Sequence, residues 1–165
     1  MVFIINSAPG IGKSTLLSML HNSLPKDFAI LDGDDVGRVT PFQNSKEWLN
    51  LIQDNMVSCC SNFKGYGSEN IILSFVFPSE ERINRLKTKL YDAGFSSCHI
   101  KLTCNNERQK ERILSRNSQK IISIEKAVLL NEQIKQIPSD FDIDTTFLTP
   151  GEISDRVIKY MISMQ

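Results

Sequence analysis

Residues 7–15 read SAPGIGKST, directly after the apolar run at 2–6 and directly before Leu16, Leu17 and Leu20, which recur at helical spacing. A glycine-rich loop joining a buried strand to a helix predicts an anion cradle. Successive main-chain N–H groups curl round a phosphate, and the unpaired N–H groups that open the helix add a positive dipole end. Gly10 and Gly12 let the backbone approach the oxygens without a Cβ in the way, while Ala8, Pro9 and Ile11 complete the bend. Lys13 brings a mobile charge to the β and γ oxygens of a triphosphate, the Ser14 hydroxyl suits Mg2+, and Thr15 reaches the α-phosphate. The spacing follows G-x-x-x-x-G-K-[ST] except at its first glycine, where Ser7 stands and restricts the entry turn. Because Pro9-Gly10 and Gly12-Lys13-Ser14 are intact, the loop is expected to survive. Glycine and lysine also occur in ordinary strand-to-helix turns, but the flanking strand and helix favour the cradle.

Outward from this loop, short β-like runs alternate with longer helical ones, the pattern of a parallel sheet covered by helices. Strands are predicted at 2–6, 28–31, 70–77, 99–103 and 141–147, with the continuous apolar run after Asn70 suited to the sheet centre. Helices are predicted at 14–24, ahead of Pro25, and from a Ser45 cap along the stripe Trp48, Leu49, Ile52, Met56 and Cys60 to Gly65 and Gly67. A third opens at Pro78 and Ser79 with Glu80 and Glu81 in its first turn and closes at Gly94. A fourth runs from an Asn105 cap to about Arg116, a fifth covers 124–137, and Thr149, Pro150 and Glu152 form a capping box for the last. The polar stretch NSQK at 117–120 breaks the pattern, and no repeat, low-complexity tract or linker divides the chain.

Carboxylates cluster where chemistry would need them. In LDGDD, Asp32, Asp34 and Asp35 follow the second strand, whose carboxyl end faces the ligand crevice of a doubly wound sheet. Phosphoryl transfer to a hydroxyl requires a group that orients the acceptor and takes its proton. Asp34 is assigned that role. Asp32, two residues earlier on the same side of an extended segment, would hold Mg2+ through its water. Asp35 and Arg38 are further substrate-side candidates, Arg38 for an anionic or hydroxylated acceptor. A polar turn would also be rich in Asp and Gly, so this reading leans on the neighbouring phosphate loop. In ERQKERILSRNSQK, Arg108 and Lys110 read as a solvated helix face. Arg112 and Arg116, four apart on one face, could reach adenine and phosphate together under a lid at 112–126.

The 165 residues fit one domain, spanning 1–165, able to bury a core without staples. Lys+Arg and Asp+Glu number 19 each, so no global field draws the chain to nucleic acid or a membrane surface. Four cysteines with no CxxC spacing argue against a disulfide framework or a zinc site, even with His99 beside Cys98. With no basic leader and no bilayer-length apolar run, a soluble cytoplasmic protein is expected, as monomer or homodimer.

On SAPGIGKST, LDGDD, the EWL helix, the ILSFVF strand, the ERILSR helix and IDTTFLTPGE, the chain resembles the P-loop small-molecule kinases, nearest to the gluconate kinase and shikimate kinase type. That resemblance spans nearly the whole length. It implies a three-layer α/β/α fold with a five-stranded parallel sheet in the order 2-3-1-4-5, ATP with Mg2+ as donor, and a small-molecule hydroxyl acceptor near the acid after the second strand. By this likeness Asp34 matches the substrate-side acid, Arg112 the adenine-facing arginine and Arg116 the lid arginine, and Thr149 and Pro150 would border the base. Two departures stand out. Ser74 occupies the third-strand position where many P-loop NTPases place a metal-binding Asp, so that role passes to Asp32 or water, as suits gluconate kinases with their serine-containing third strand. No match to the substrate-binding arginines of shikimate kinases is found, so neither substrate is assigned. The alternatives are a nucleotide or polynucleotide end kinase, against which the even charge balance weighs, and a nucleotide-dependent regulatory ATPase.

Overall fold

The computed structural model describes residues 1–25, 27–41, 45–115 and 122–164. Five parallel strands, β1 Val2–Ser7, β2 Phe28–Asp32, β3 Asn70–Phe75, β4 Ser97–Thr103 and β5 Phe141–Asp144, form one sheet in the order β2-β3-β1-β4-β5. Helices α1 Lys13–Ser23, α2 Lys46–Tyr66, α3 Glu80–Asp92, α4 Asn106–Leu114, α5 Ile124–Lys135 and α6 Pro150–Ser163 connect or follow them. Right-handed crossovers running in opposite directions place their helices on opposite faces. The step from β1 out to edge strand β2 therefore puts α1 on one face, where α6 packs on it, and the return steps put α2 and α3, packed together, and α4 and α5, likewise paired, on the other. The result is the expected α/β/α sandwich.

Strand β1 is buried along its whole length, with Phe3, Ile4 and Ile5 at zero exposure between the two helical layers. That is why a continuous apolar run, and not an alternating one, leads into the loop. The caps also form as the sequence suggests: Ser45 accepts from Trp48 N, Asn105 from Arg108 N, and Thr149 and Glu152 make a reciprocal capping box.

Several element ends move, each for a local reason. Strand β3 stops at Phe75, short of the predicted Phe77, because the buried Asn6 side chain replaces the ladder there, donating to Phe77 O at 3.0 Å and accepting from Phe77 N at 2.9 Å. Strand β5 stops at Asp144, short of Phe147, because the Asp144 carboxylate accepts from Thr146 N at 2.9 Å and turns the chain. Helix α5 ends at Lys135, two residues early, where the buried Lys101 ammonium takes the carbonyls of Ile137 at 2.7 Å and Lys135 at 3.3 Å. Helix α2 passes through Gly65 and ends at Tyr66, with Gly67 as its cap. Helix α4 ends at Leu114; Arg116, and with it the 116–121 part of the expected lid, lies outside the described residues.

His99, also in β4, is fully buried, its Nδ1 paired with Pro138 O at 3.0 Å and its Nε2 without a partner. Burial pushes its pKa down to about 4, against the pull of the Pro138 carbonyl. The folded value lies below the unfolded one, so the stabilisation is complete above about pH 6.5 and fades as pH falls toward about 4. Between pH 7 and pH 4.5, urea titrations should show wild type losing roughly 2 to 3 kcal/mol more than His99→Gln. Equal losses would contradict the buried neutral ring.

All four cysteines are free thiols, three of them buried, and burial pushes Cys60 up to about 12 and Cys98 up to about 11. Such thiols stay protonated and inert. Among the described residues no cluster of His, Cys, Asp or Glu could hold a metal, and no helix is long and apolar enough to cross a membrane.

Candidate functional site

The loop after β1 is shaped by two left-handed glycines, Gly10 at φ +87° and Gly12 at φ +113°. A Cβ at Gly10 would lie 2.6 Å from Ile113 Cγ1, so α4 presses directly on the loop from below. At Gly12 a Cβ would meet nothing within 4 Å, so that side of the bend faces open space. Ser7 ends β1 in register with Leu102, and among the described residues none other than glycine takes a positive φ. A serine is therefore tolerated at the first motif position, because the turn begins after it.

Ala8 and Ile11 bury their side chains in the core, which leaves only their main chain for the bend. Ile11 N is turned back toward Ala8 O at 3.4 Å, and Pro9 has no N–H to give. Among the described residues no acceptor is bonded to the amides of Gly10, Gly12, Lys13, Ser14 or Thr15. The loop and the first turn of α1 thus offer five unbonded main-chain donors, with Ser14 and Thr15 exposed beside them.

Lys13 joins this cradle to the acids. Its Nζ lies 2.8 Å from Asp32 Oδ2 and 3.0 Å from Oδ1, and both side chains are largely buried. An ammonium has three donors, so one remains for a phosphate oxygen. Asp32 closes β2 opposite Ser74 of β3, and its Oδ1 also accepts from Asp34 N at 3.2 Å, which bends the chain into the 3-10 turn Gly33–Asp35. Helix α2 pins this turn from behind, with Asn55 donating to Val36 O at 2.8 Å and Trp48 to Gly37 O at 2.7 Å. Loss of water around the Asp34 carboxyl raises its pKa above the usual 3.8; Lys13 opposes the shift, and Asp32 and Asp35 reinforce it. Asp35 and Arg38 pair with each other at 3.1 Å on the surface.

On the other side of the loop lies a cavity of about 710 Å³. Gly10, Gly12, Thr15 and Leu16 form its floor, Arg108, Glu111 and Arg112 of α4 one wall, and Phe147, Thr149 and Pro150 the other. Its size and mixed lining suit an aromatic base. Arg112 lines it, but three of its hydrogen bonds go to the protein: to Ile11 O at 3.0 Å, Thr145 Oγ1 at 2.9 Å and Thr145 O at 2.7 Å. The sheet order explains the layout. Chain reversal at β1 opens the crevice at its carboxyl end, with the β2 acids on one side and the α4 and β5–α6 cavity on the other.

Of the residues expected from sequence, Ala8 to Thr15, Asp32, Asp34 and Arg112 come together around the loop, and Asp35 and Arg38 border them. Sequence reasoning missed Gln109, Thr145 and Phe147. Gln109 is fully buried and bonded to Pro9 O, yet a polar residue in a charged helix reads as solvated. Its spacing of three and four from Arg112 and Ile113 was the available signal.

For Mg2+, the donors on hand are oxygens only, the Ser14 hydroxyl and the Asp32 carboxylate, which suits a hard cation arriving with its phosphates. Buried Ser74 Oγ, beside Asp32 in register and without a partner, adds an oxygen dipole in place of an acid.

No family model and no curated protein matches the sequence. Solved structures do. The tunicamycin resistance protein of Deinococcus radiodurans aligns over 97% of this chain and 94% of its own at 20% identity, with a TM-score of 0.73. A shikimate kinase from Aquifex aeolicus aligns over 99% and 97% at 16% identity and TM-score 0.65, and a gluconokinase from Sinorhizobium meliloti over 99% and 97% at 13% identity and TM-score 0.63.

Proposed function

We propose that this chain, whose fold is that of the P-loop kinases, transfers the γ-phosphoryl of MgATP to a hydroxyl of a small molecule in the cytoplasm. The observation that carries the reading is the position of Lys13, between five unbonded amides and the carboxylates of the turn after β2. A protein that only bound nucleotide would need the cradle and the cavity; the acids on the far side of Lys13 favour transfer. The gluconokinase and shikimate kinase neighbours support a small-molecule hydroxyl as acceptor, which we take to belong to a sugar, sugar acid, nucleoside or drug.

The base enters the cavity between α4 and the β5–α6 loop, and the triphosphate lies along the bend, its β-phosphate against the amides of Gly10, Gly12, Lys13 and Ser14. Lys13 spans the β and γ oxygens while keeping Asp32. Ser14, and Asp32 through a water, would hold the Mg2+ of the substrate complex, whose charge would offset that of the phosphates. Asp34 accepts the acceptor's proton as its oxygen bonds to the γ-phosphorus and ADP leaves. Exposed Asp35 and Arg38 stand at the acceptor's entrance.

Purified protein is expected to consume ATP slowly alone and at least tenfold faster with the correct acceptor, read with labelled ATP across sugars, sugar acids, nucleosides, and aminocyclitol and amphenicol antibiotics. The same turnover with and without every compound would instead favour a regulatory ATPase.

A further inference from the structure

Helix α4 touches the phosphate loop at three consecutive residues. Gln109 Nε2 donates to Pro9 O at 2.8 Å, Arg112 Nη1 donates to Ile11 O at 3.0 Å, and Ile113 fills the space that a side chain at Gly10 would need. The two carbonyls belong to the peptide units that carry the Gly10 and Gly12 amides. A trans peptide is planar, with its C=O and N–H pointing in opposite directions. Holding Pro9 O and Ile11 O down toward α4 therefore turns the N–H groups of Gly10 and Gly12 up, into the cradle. Among the described residues the carbonyl between them, Gly10 O, accepts no hydrogen bond from α4, and it belongs to the peptide of Ile11 N, the amide that turns back to Ala8 O.

We infer that Gln109 is a positioning residue that, with Arg112, presets the phosphate loop by holding these two carbonyls. Gln109 has no exposed surface, and its Nε2 makes a second bond, to Ala127 O in the first turns of α5 at 2.9 Å. With two carbonyls as partners the amide orientation is fixed, since its oxygen could accept from neither. Arg112 is tied in the same way to Thr145 at the end of β5. The loop is thus strapped to two neighbouring elements before any anion arrives, and its amides need no rearrangement on binding. Flexible Gly10 and Gly12 would otherwise lose much conformational entropy at that step.

The inference rests on the triphosphate reading of the same loop, and the experiment separates the two. Calorimetric titrations compare inorganic tripolyphosphate, which uses the cradle alone, with adenosine, which uses the cavity alone. Gln109→Met keeps the length of the side chain and removes the donor; it should raise the tripolyphosphate Kd about tenfold and leave the adenosine Kd within twofold. Gln109→Glu, of the same shape with an oxygen facing both carbonyls, should weaken tripolyphosphate at least as much. Unchanged tripolyphosphate affinity in either folded variant overturns the clamp alone, as does an equal loss for adenosine. A wild type that binds no tripolyphosphate overturns both the clamp and the reading beneath it. If neither variant folds, wild-type NMR decides: order parameters for the Gly10 and Gly12 amides near 0.85 without ligand support the clamp, and values below about 0.6 overturn it.

Discussion

Lys13→Ala should lower kcat/KM for MgATP about 10³-fold and weaken ATP binding about tenfold or more, while adenosine binding stays the same. Two effects add. The variant removes the only side-chain charge of the motif that reaches the phosphates, and it leaves the Asp32 carboxylate, 2.8 Å from the missing ammonium and only 20% exposed, unpaired beside the anion. The second effect has its own signature. In the double variant Lys13→Ala with Asp32→Asn, binding of magnesium-free ATP should recover in part because the repulsion is gone, and transfer should not recover because the charge on the γ-phosphoryl is still missing. A single variant that binds and turns over ATP like wild type would place the chemistry elsewhere.

Asp34→Asn should cut the transfer rate by about 10² to 10⁴ and leave ATP affinity within about twofold. The carboxyl is held by a turn that α2 pins, so an isosteric amide keeps the shape and loses only the base. The pH profile supplies a second readout. Because loss of water raises the Asp34 pKa, the base is protonated at a higher pH than an ordinary carboxylate. Wild-type kcat/KM should therefore fall, as pH is lowered, on a limb displaced upward from 3.8. The residual activity of Asp34→Asn should lack that limb. An unchanged rate, or the same limb in the variant, would remove Asp34 from the proton transfer.

Much of this architecture was legible in the sequence because it follows from local rules. The buried run into SAPGIGKST, the Ser45, Asn105 and Thr149 caps and the glycines of the loop each act within a few residues. What was not legible acts across the chain. Strand β3 ends where it does because Asn6, 71 residues away, takes both bonds of Phe77. Helix α5 stops at Lys135 because a buried lysine from β4 reaches its last carbonyls. Gln109 meets Pro9 from 100 residues away, and a glutamine among arginines and glutamates carries no periodic mark of burial. Ser7 looked like a defect in the motif and is accommodated, because β1 continues through it and the left-handed turns begin at Gly10.

Main-chain amides should grip the triphosphate, and a crystal structure with a non-hydrolysable ATP analogue and magnesium would show whether they do. The expected result has β-phosphate oxygens within about 3 Å of the Gly10, Gly12, Lys13 and Ser14 nitrogens and the base in the cavity bounded by Arg112, Phe147 and Pro150. Analogue bound at another surface, with these amides still unbonded, would contradict it.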